Sequence, residues 1–204
     1  MNWRTTLLAA TILLACGGAS QAADPRYPDW PCAQAKVPEI SLAAVWAGPS
    51  LDDVQESWKD DSKVSALVAK IAARRTPLEE AQKDVVDFLS QAGSDKTAAA
   101  KRLFAGLFEN LNAQRSSVMT GLERVTRKQR DAAEKIRSDT IELQALQGGP
   151  SPDQAKVDEW SNRLIWETRI FEDRRQVVRF VCEVPTAIDQ RLFALGRVIQ
   201  QEME

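Results

Sequence analysis

The chain has 204 residues, of which 27 are basic and 29 acidic, and it contains no histidine. A formal net charge of −2 excludes the strong positive field that nucleic-acid binding requires. Because histidine is the usual general base near neutral pH and the commonest metal ligand, the composition predicts a protein that is not an enzyme and that holds no cofactor or metal.

Residues 1–22 are predicted to be a signal peptide. Arg4 precedes an apolar run at residues 7–15, which is too short to cross a bilayer because a spanning helix needs about 20 residues. Two cleavage sites compete. Small side chains favour cleavage after Ala22, whereas Cys16 directly follows the apolar run, as in a lipoprotein, and a lipid on it would tether the protein to a membrane.

The rest of the chain has no second apolar run of spanning length, so no transmembrane helix is expected in the mature chain. The signal peptide therefore predicts a periplasmic or secreted protein of the bacterial envelope. If Cys16 is retained and acylated, the protein would be anchored to a membrane by that lipid. Apart from Cys16, the mature chain has Cys32 and Cys182, and an even number of cysteines in an oxidising compartment predicts a disulfide between them. The alternative is two free thiols, with Cys182 buried as a small apolar residue.

Residues 23–49 are predicted to form an extended arm, because proline recurs there too often for a regular helix. The arm also has many apolar residues, so part of it should lie against the helical body. Trp30, next to Cys32, is a candidate for contact with a partner. The alternative is that Trp30 packs on the body and supports the disulfide.

Residues 50–204 are predicted to form one helical domain. Ser50, followed by two acids, favours a helix over residues 50–74. The sequence Thr76-Pro77-Leu78-Glu79 supplies a cap, a first-turn proline and a capping-box acid, and it predicts a second helix over residues 76–92.

Two long heptad arrays follow, at residues 94–147 and 151–204, separated by the breaker Gly148-Gly149-Pro150-Ser151-Pro152. Their apolar residues recur in steps of four and three, which is the spacing of paired long helices. Polar residues interrupt the steps at these positions: Arg115, Gln129, Asp139, Glu167 and Arg174. Pro185 should kink the last helix, or break it.

The predicted fold is all-α: a long antiparallel helical hairpin, similar to a coiled coil, whose base is covered by the two shorter helices and preceded by the arm. The short breaker favours a hairpin over a dimer of long helices. The outer half of the hairpin, roughly residues 122–178, is expected to project.

A second apolar set accompanies the main stripe of the last helix, and large apolar side chains exposed together usually indicate a binding surface. The candidate interaction residues are Trp160, Ile165, Trp166, Ile170 and Val177. In the alternative interpretation, the hairpin twists and both stripes pack on the preceding helix.

Three hypotheses of function follow. The first is an exported, non-enzymatic scaffold, adaptor or chaperone-like protein whose projecting hairpin binds another envelope protein or a second copy of itself. The second is a periplasmic sensor of a small ligand or metal, in which the arm closes over a pocket in the helical base. The third is a structural envelope lipoprotein that acts as a spacer, for which Cys16 must be retained and acylated.

Overall fold

The computed structural model of the protein describes residues 24–54 and 57–204. The predicted signal peptide, with Cys16, lies outside the described residues. Within these two ranges the chain has no strand and forms these helices: α1 (Leu42–Val45), α2 (Ser62–Ala72), α3 (Leu78–Ser90), α4 (Lys96–Gln147), α5 (Gln154–Val181) and α6 (Glu183–Gln201).

The protein is all-α, and its main feature is the predicted hairpin. Helix α4 has 52 residues and is therefore about 78 Å long. It packs first on α2 and α6 and then, farther out, on the returning helix α5. Helices α2 and α3 pack on α6 and on the beginning of α4, whose core residues lie between Ala99 and Leu111. The structure thus confirms an antiparallel hairpin with two shorter helices on its base.

The hydrophobic core lies in this base. Apolar side chains at helical spacing on α2, α3, α4 and α6 meet there and are almost completely removed from water. Trp46, at the end of the arm, stacks on Phe104 with the ring centroids 4.2 Å apart, and its indole N–H donates to the carbonyl oxygen of Pro49. The base is therefore a conventional packed core from which the hairpin extends.

The first predicted helix starts later than expected: α2 begins at Ser62, and the start predicted at Ser50 is wrong. Asp61 caps α2 by accepting hydrogen bonds from the backbone N–H groups of Lys63 and Val64. The preceding residues form turns, and tertiary contacts hold them there, since the Trp58 indole donates to the Glu109 carboxylate of α4. Such contacts outweigh a local capping preference.

The sequence predicted that Thr76 caps α3, but it does not. Its hydroxyl instead donates to the carbonyl oxygen of Lys70 at the end of α2, and α3 begins after Pro77. Helix α4 begins at Lys96, after a short 3₁₀ turn at Gly93–Asp95. Gly93 has a φ of +55°, which glycine adopts without steric strain, so this residue allows the sharp change of direction between α3 and α4.

The returning helix is interrupted at Cys182 rather than kinked at Pro185. Pro185 lies in the first turn of α6, where a backbone N–H would have no partner within that helix. The missing N–H cannot bond to the carbonyl of Val181, so the α5 ladder ends there. At the other end of α5 the cap is Asp153, which accepts a hydrogen bond from the backbone N–H of Lys156.

The arm is fastened to the hairpin where α5 meets α6. The predicted disulfide joins Cys32 to Cys182, with the two Cα atoms 5.5 Å apart. Gln34 donates to the carbonyl oxygen of Cys182, and the ammonium of Lys36 lies 2.5 Å from the carboxylate of Glu123 on α4. The arm is thus bonded both to α4 and to the returning half of the hairpin.

Candidate interaction surface

A strip of apolar side chains on α5 faces away from α4. Trp166 is 60% exposed, Val177 58% and Phe180 70%, and Ile170 between them is half-buried. The positions 166, 170, 173, 177 and 180 follow each other in steps of three and four and therefore share one broad side of the helix. All of them are apolar except Asp173. We call Trp166, Ile170, Val177 and Phe180 the outer strip. Three of its members were predicted candidates, whereas Phe180 was missed although it follows Val177 by three residues.

The remaining candidates lie elsewhere. Ile165 is 68% exposed but faces a different side of α5 from the outer strip. Trp160 is half-buried, and the guanidinium carbon of Arg163 lies 3.9 Å from its ring centroid. Trp30 is also half-buried, and its indole N–H donates to the carbonyl oxygen of Gln34 within the arm. Trp160 and Trp30 are therefore largely covered by their own neighbours.

An apolar groove runs along the junction of α4 with α5 and α6. It consists of two adjoining depressions of about 620 and 690 Å³ that share Val118. Most of its wall is aliphatic, contributed by these residues: Val118, Gly121, Leu122, Val125, Val177, Val178, Val181, Val184 and Ile188. We call it the seam groove. Val177 belongs to both the groove and the outer strip, so the two form one continuous apolar surface.

Gly121 leaves the groove open at its centre. A Cβ atom built on this residue would have no other heavy atom within 4 Å. The helix backbone is therefore accessible there, and a partner can approach more closely than over a larger residue. No feature of the heptad pattern revealed this groove, because it lies where α5 gives way to α6.

The arm and the seam groove lie on opposite sides of this junction. A smaller depression of about 250 Å³, lined by Pro31 of the arm, shares Gln129 and Val178 with the groove. These two residues therefore separate the side that the arm covers from the side that is open. One side of the hairpin already binds an extended segment of the chain, whereas on the other side no extended segment of the described chain lies in the groove.

The charges on the two sides differ. On the arm side, the Asp29 carboxylate is bonded to the guanidinium groups of Arg127 and Arg130, and the hydrogen bond from Arg127, above all, lowers the pKa of Asp29. On the groove side, the lining includes Arg74, Lys128 and Arg174. None of these three forms an ion pair within the described part of the chain. The groove rim therefore has basic groups without acidic partners.

A third depression, of about 540 Å³, lies in the base beside the arm. Leu42, Leu51 and Phe108 form its apolar wall, and Glu109 and Asn112 are among its polar residues. Lys59 lies 2.7 Å from the Glu109 carboxylate, and this ion pair, together with the Trp58 N–H, lowers the pKa of Glu109. The Oδ1 atom of Asn112 is buried and accepts no hydrogen bond from any described residue.

Within residues 24–54 and 57–204, no helix combines the length and the apolar character needed to cross a membrane. No three acidic or cysteine side chains in the same ranges are grouped closely enough to hold a metal ion. Searches against protein-family models, curated proteins and solved structures give no match for this chain.

Proposed function

We propose that this protein is an exported, non-enzymatic scaffold or adaptor, with a chaperone-like mode of action, that binds another envelope protein through the projecting hairpin. The observation that carries the proposal is the continuous apolar surface formed by the outer strip and the seam groove. When a partner covers an exposed tryptophan and the aliphatic side chains beside it, their apolar surface is removed from water, which favours binding. The core of the protein lies in the base and does not need these residues.

The position of the surface supports the same function. Helices α2 and α3 cover the base, so the outer half of the hairpin has one helical layer on either side of its seam. A partner helix can lie along such a ridge and groove without displacing any part of the described chain. The hairpin would thus present a preformed surface, which limits the ordering cost of binding.

The test is the double substitution Trp166→Asp and Val177→Asp. Both side chains are exposed, so helicity and thermal unfolding should change little. Binding should weaken by at least about tenfold, because buried aromatic residues dominate interface energies. Cross-linked pull-down from the native envelope measures binding to another protein, and sedimentation of the purified chain measures association between copies.

The matched control is Ile141→Asp, an exposed apolar residue of α4 that belongs to neither the outer strip nor the groove lining. It should leave both measurements unchanged. If the double variant associates as well as the parent, the hairpin is not the binding surface.

One observation favours the second hypothesis, a sensor of a small ligand: the depression in the base beside the arm could hold such a molecule. The unpaired Asn112 oxygen and the Glu109 carboxylate suit a small molecule that has a hydrogen-bond donor, such as an amine, and an apolar group for Leu42 and Phe108. A panel of amino acids and polyamines should then include one that raises the melting temperature and changes Trp58 fluorescence. Asn112→Ala should abolish the effect. No response from any of them would remove this candidate.

A further inference from the structure

We propose that the seam groove binds an amphipathic helix whose flanks are acidic. This inference rests on the proposed function and deepens it by stating the chemistry of the partner. Three features carry it: the shape of the groove, the unpaired basic groups at its rim, and the way in which the arm already binds the opposite side of the hairpin.

The groove has the dimensions of a docking site for a helix. On α4 it extends over residues 113–129, which corresponds to about 24 Å, or more than four helical turns. Most of its large apolar side chains are β-branched valines, which keep a defined shape, and Gly121 allows close approach at the centre. Beyond Val177 the outer strip continues the apolar surface to Trp166. A partner helix with apolar residues in steps of three and four would cover both.

The rim charges select an acidic partner. Arg74, Lys128 and Arg174 are exposed and have no ion-pair partner in the described chain, whereas Asp173 is the one acid in the groove lining. A helix flanked by glutamate or aspartate would place carboxylates beside these basic groups, and a helix flanked by lysine would meet like charge. The rim therefore distinguishes partners that have the same apolar face.

The arm provides an intramolecular precedent. On the opposite side of the same junction, Asp29 binds Arg127 and Arg130 while Pro31 lies against the apolar depression beside them. The hairpin thus binds this segment by pairing an acid with exposed basic groups next to an apolar surface. The groove side has the same combination of an apolar wall and basic groups, but no acid forms an ion pair with Arg74, Lys128 or Arg174 in the described chain.

A concave groove also favours a helix over a membrane surface. Proteins that lie on anionic lipid present their apolar and basic residues on a convex face, where headgroups can reach them. Here the aliphatic residues line a depression between two helices, and the basic groups flank it. A narrow helix fits into this shape, whereas a flat bilayer does not.

The experiment uses the disulfide-bonded protein and two designed peptides of equal length and helicity. Both peptides have the same leucine and isoleucine face, but one is flanked by glutamate and the other by lysine. Fluorescence anisotropy should show the glutamate peptide binding at least about tenfold more tightly, with the difference shrinking as salt is raised. Lys128→Glu with Arg174→Glu should remove or reverse the preference.

Arg169→Glu with Arg179→Glu is the matched control. These two exposed residues lie on α5, as Arg174 does, and also lack ion pairs among the described residues, but they do not line the groove. The change of net charge is the same, so the preference for the glutamate peptide should persist. Loss of the preference in this control would mean that overall charge, and not the groove rim, attracts the peptide.

Val125→Asp with Val177→Asp separates this inference from the proposed function. If both peptides bind equally and this variant releases both, the groove binds helices but the acidic preference is wrong. If neither peptide binds and native association is also unchanged in this variant, the proposed function fails as well.

Two other occupants would overturn the inference. One is a second copy, shown by a dimer in sedimentation that the Val125→Asp and Val177→Asp variant dissociates and the glutamate peptide does not. The other is a lipid surface, shown by binding to phosphatidylglycerol vesicles that depends on Lys128 and Arg174 and that the peptide does not displace.

Discussion

Arg115 is buried at a heptad position of α4, and its Nε atom lies 2.8 Å from a carboxylate oxygen of Asp189 on α6. The two groups attract as opposite charges, although the Nε–H is not directed at that oxygen and makes no hydrogen bond. Another guanidinium nitrogen donates to the carbonyl oxygen of Pro38 in the arm. This interruption of the repeat therefore joins three parts of the chain at one point.

Other interruptions also meet across the seam. Asp139 of α4 is buried and accepts a hydrogen bond from Lys135, and this bond is the main cause that lowers the pKa of Asp139. Lys135 also donates to Glu167 of α5. Gln129 donates to the carbonyl oxygen of Phe171. Polar residues at such positions fix the register of paired helices, because any shift leaves them without partners. We infer that they specify the hairpin alignment.

Arg115→Met tests this arrangement through its pH dependence. Burial raises the pKa of Asp189 above its ordinary value. The stability linked to this carboxyl is thus complete below its unfolded pKa of about 3.8 and is lost as the pH rises through the folded pKa. Without Arg115 the charged form is disfavoured further. The variant should lose about 1–2 kcal/mol at pH 7, less than for a fully buried pair because the Asp189 side chain is 41% exposed.

Urea unfolding at pH 7 and pH 4 measures the loss, which should be smaller at pH 4, where Asp189 is more often protonated. Adding Asp189→Asn to Arg115→Met should restore most of the stability at pH 7 and remove the difference between the two pH values. An equal loss at both pH values would mean that packing of the arginine side chain, and not its charge, is responsible.

At the scale of elements, two glycines set how closely the helices of the base approach. A Cβ on Gly196 of α6 would lie 2.9 Å from Cε2 of Phe104 and 3.1 Å from the carbonyl oxygen of Val45. A Cβ on Gly106 of α4 would lie 2.7 Å from the Trp58 ring. Ring and backbone atoms held in a packed core cannot move aside easily. Glycine at these positions therefore determines the spacing of α6 and the Trp58 turn relative to α4.

Gly196→Ala should destabilise the protein by about 1–3 kcal/mol, because the added methyl group must displace Phe104 or the α1 backbone. Gly121→Ala is the control: it is also inside a helix, but its Cβ meets open space. There the better helix propensity of alanine should stabilise by up to about 1 kcal/mol. Urea unfolding of both variants gives the comparison, and a neutral Gly196→Ala would show that the base can relax around it.

The elements that could be predicted from the sequence are those whose pattern extends over many residues. The heptad spacing ran through about fifty residues and located α4 with its breaker, and the proline-rich composition located the arm. The start of α2 was predicted from a local capping signal at Ser50, and tertiary contacts such as that of Trp58 with Glu109 decided otherwise. The start of α3 was predicted to within two residues, although Thr76 bonds to the end of α2 and does not cap α3. The outer strip was foreseeable from spacing on one helix. The seam groove was not, since it depends on how α4 packs against the junction of α5 with α6.

At the scale of the whole molecule, the arm makes the two sides of the hairpin different. It spans from Asp29 at Arg127, through the disulfide at Cys182, to Trp46 inside the core of the base. The arm packs on that core only from Ile40 onward, and Trp46 is buried in it. The part before Ile40 depends on the disulfide, on hydrogen bonds at Gln34 and Pro38, and on partly exposed ion pairs, which contribute little in water. The arm should therefore detach in part, and not as a unit with the base.

Cys32→Ser with Cys182→Ser should consequently lower the free energy of unfolding by about 2–4 kcal/mol, since the bridge closes a long loop in the unfolded chain. Hydrogen exchange should accelerate strongly over residues 24–39, whereas α2, α3 and the buried face of α6 should stay protected, because the arm packs on their core only from Ile40 onward. Asp29→Asn is the control, as it removes the ion pairs but keeps the covalent tie, and it should leave exchange in the arm slow. Loss of protection throughout the base on removing the disulfide would show instead that the arm and the four-helix base fold as one cooperative unit.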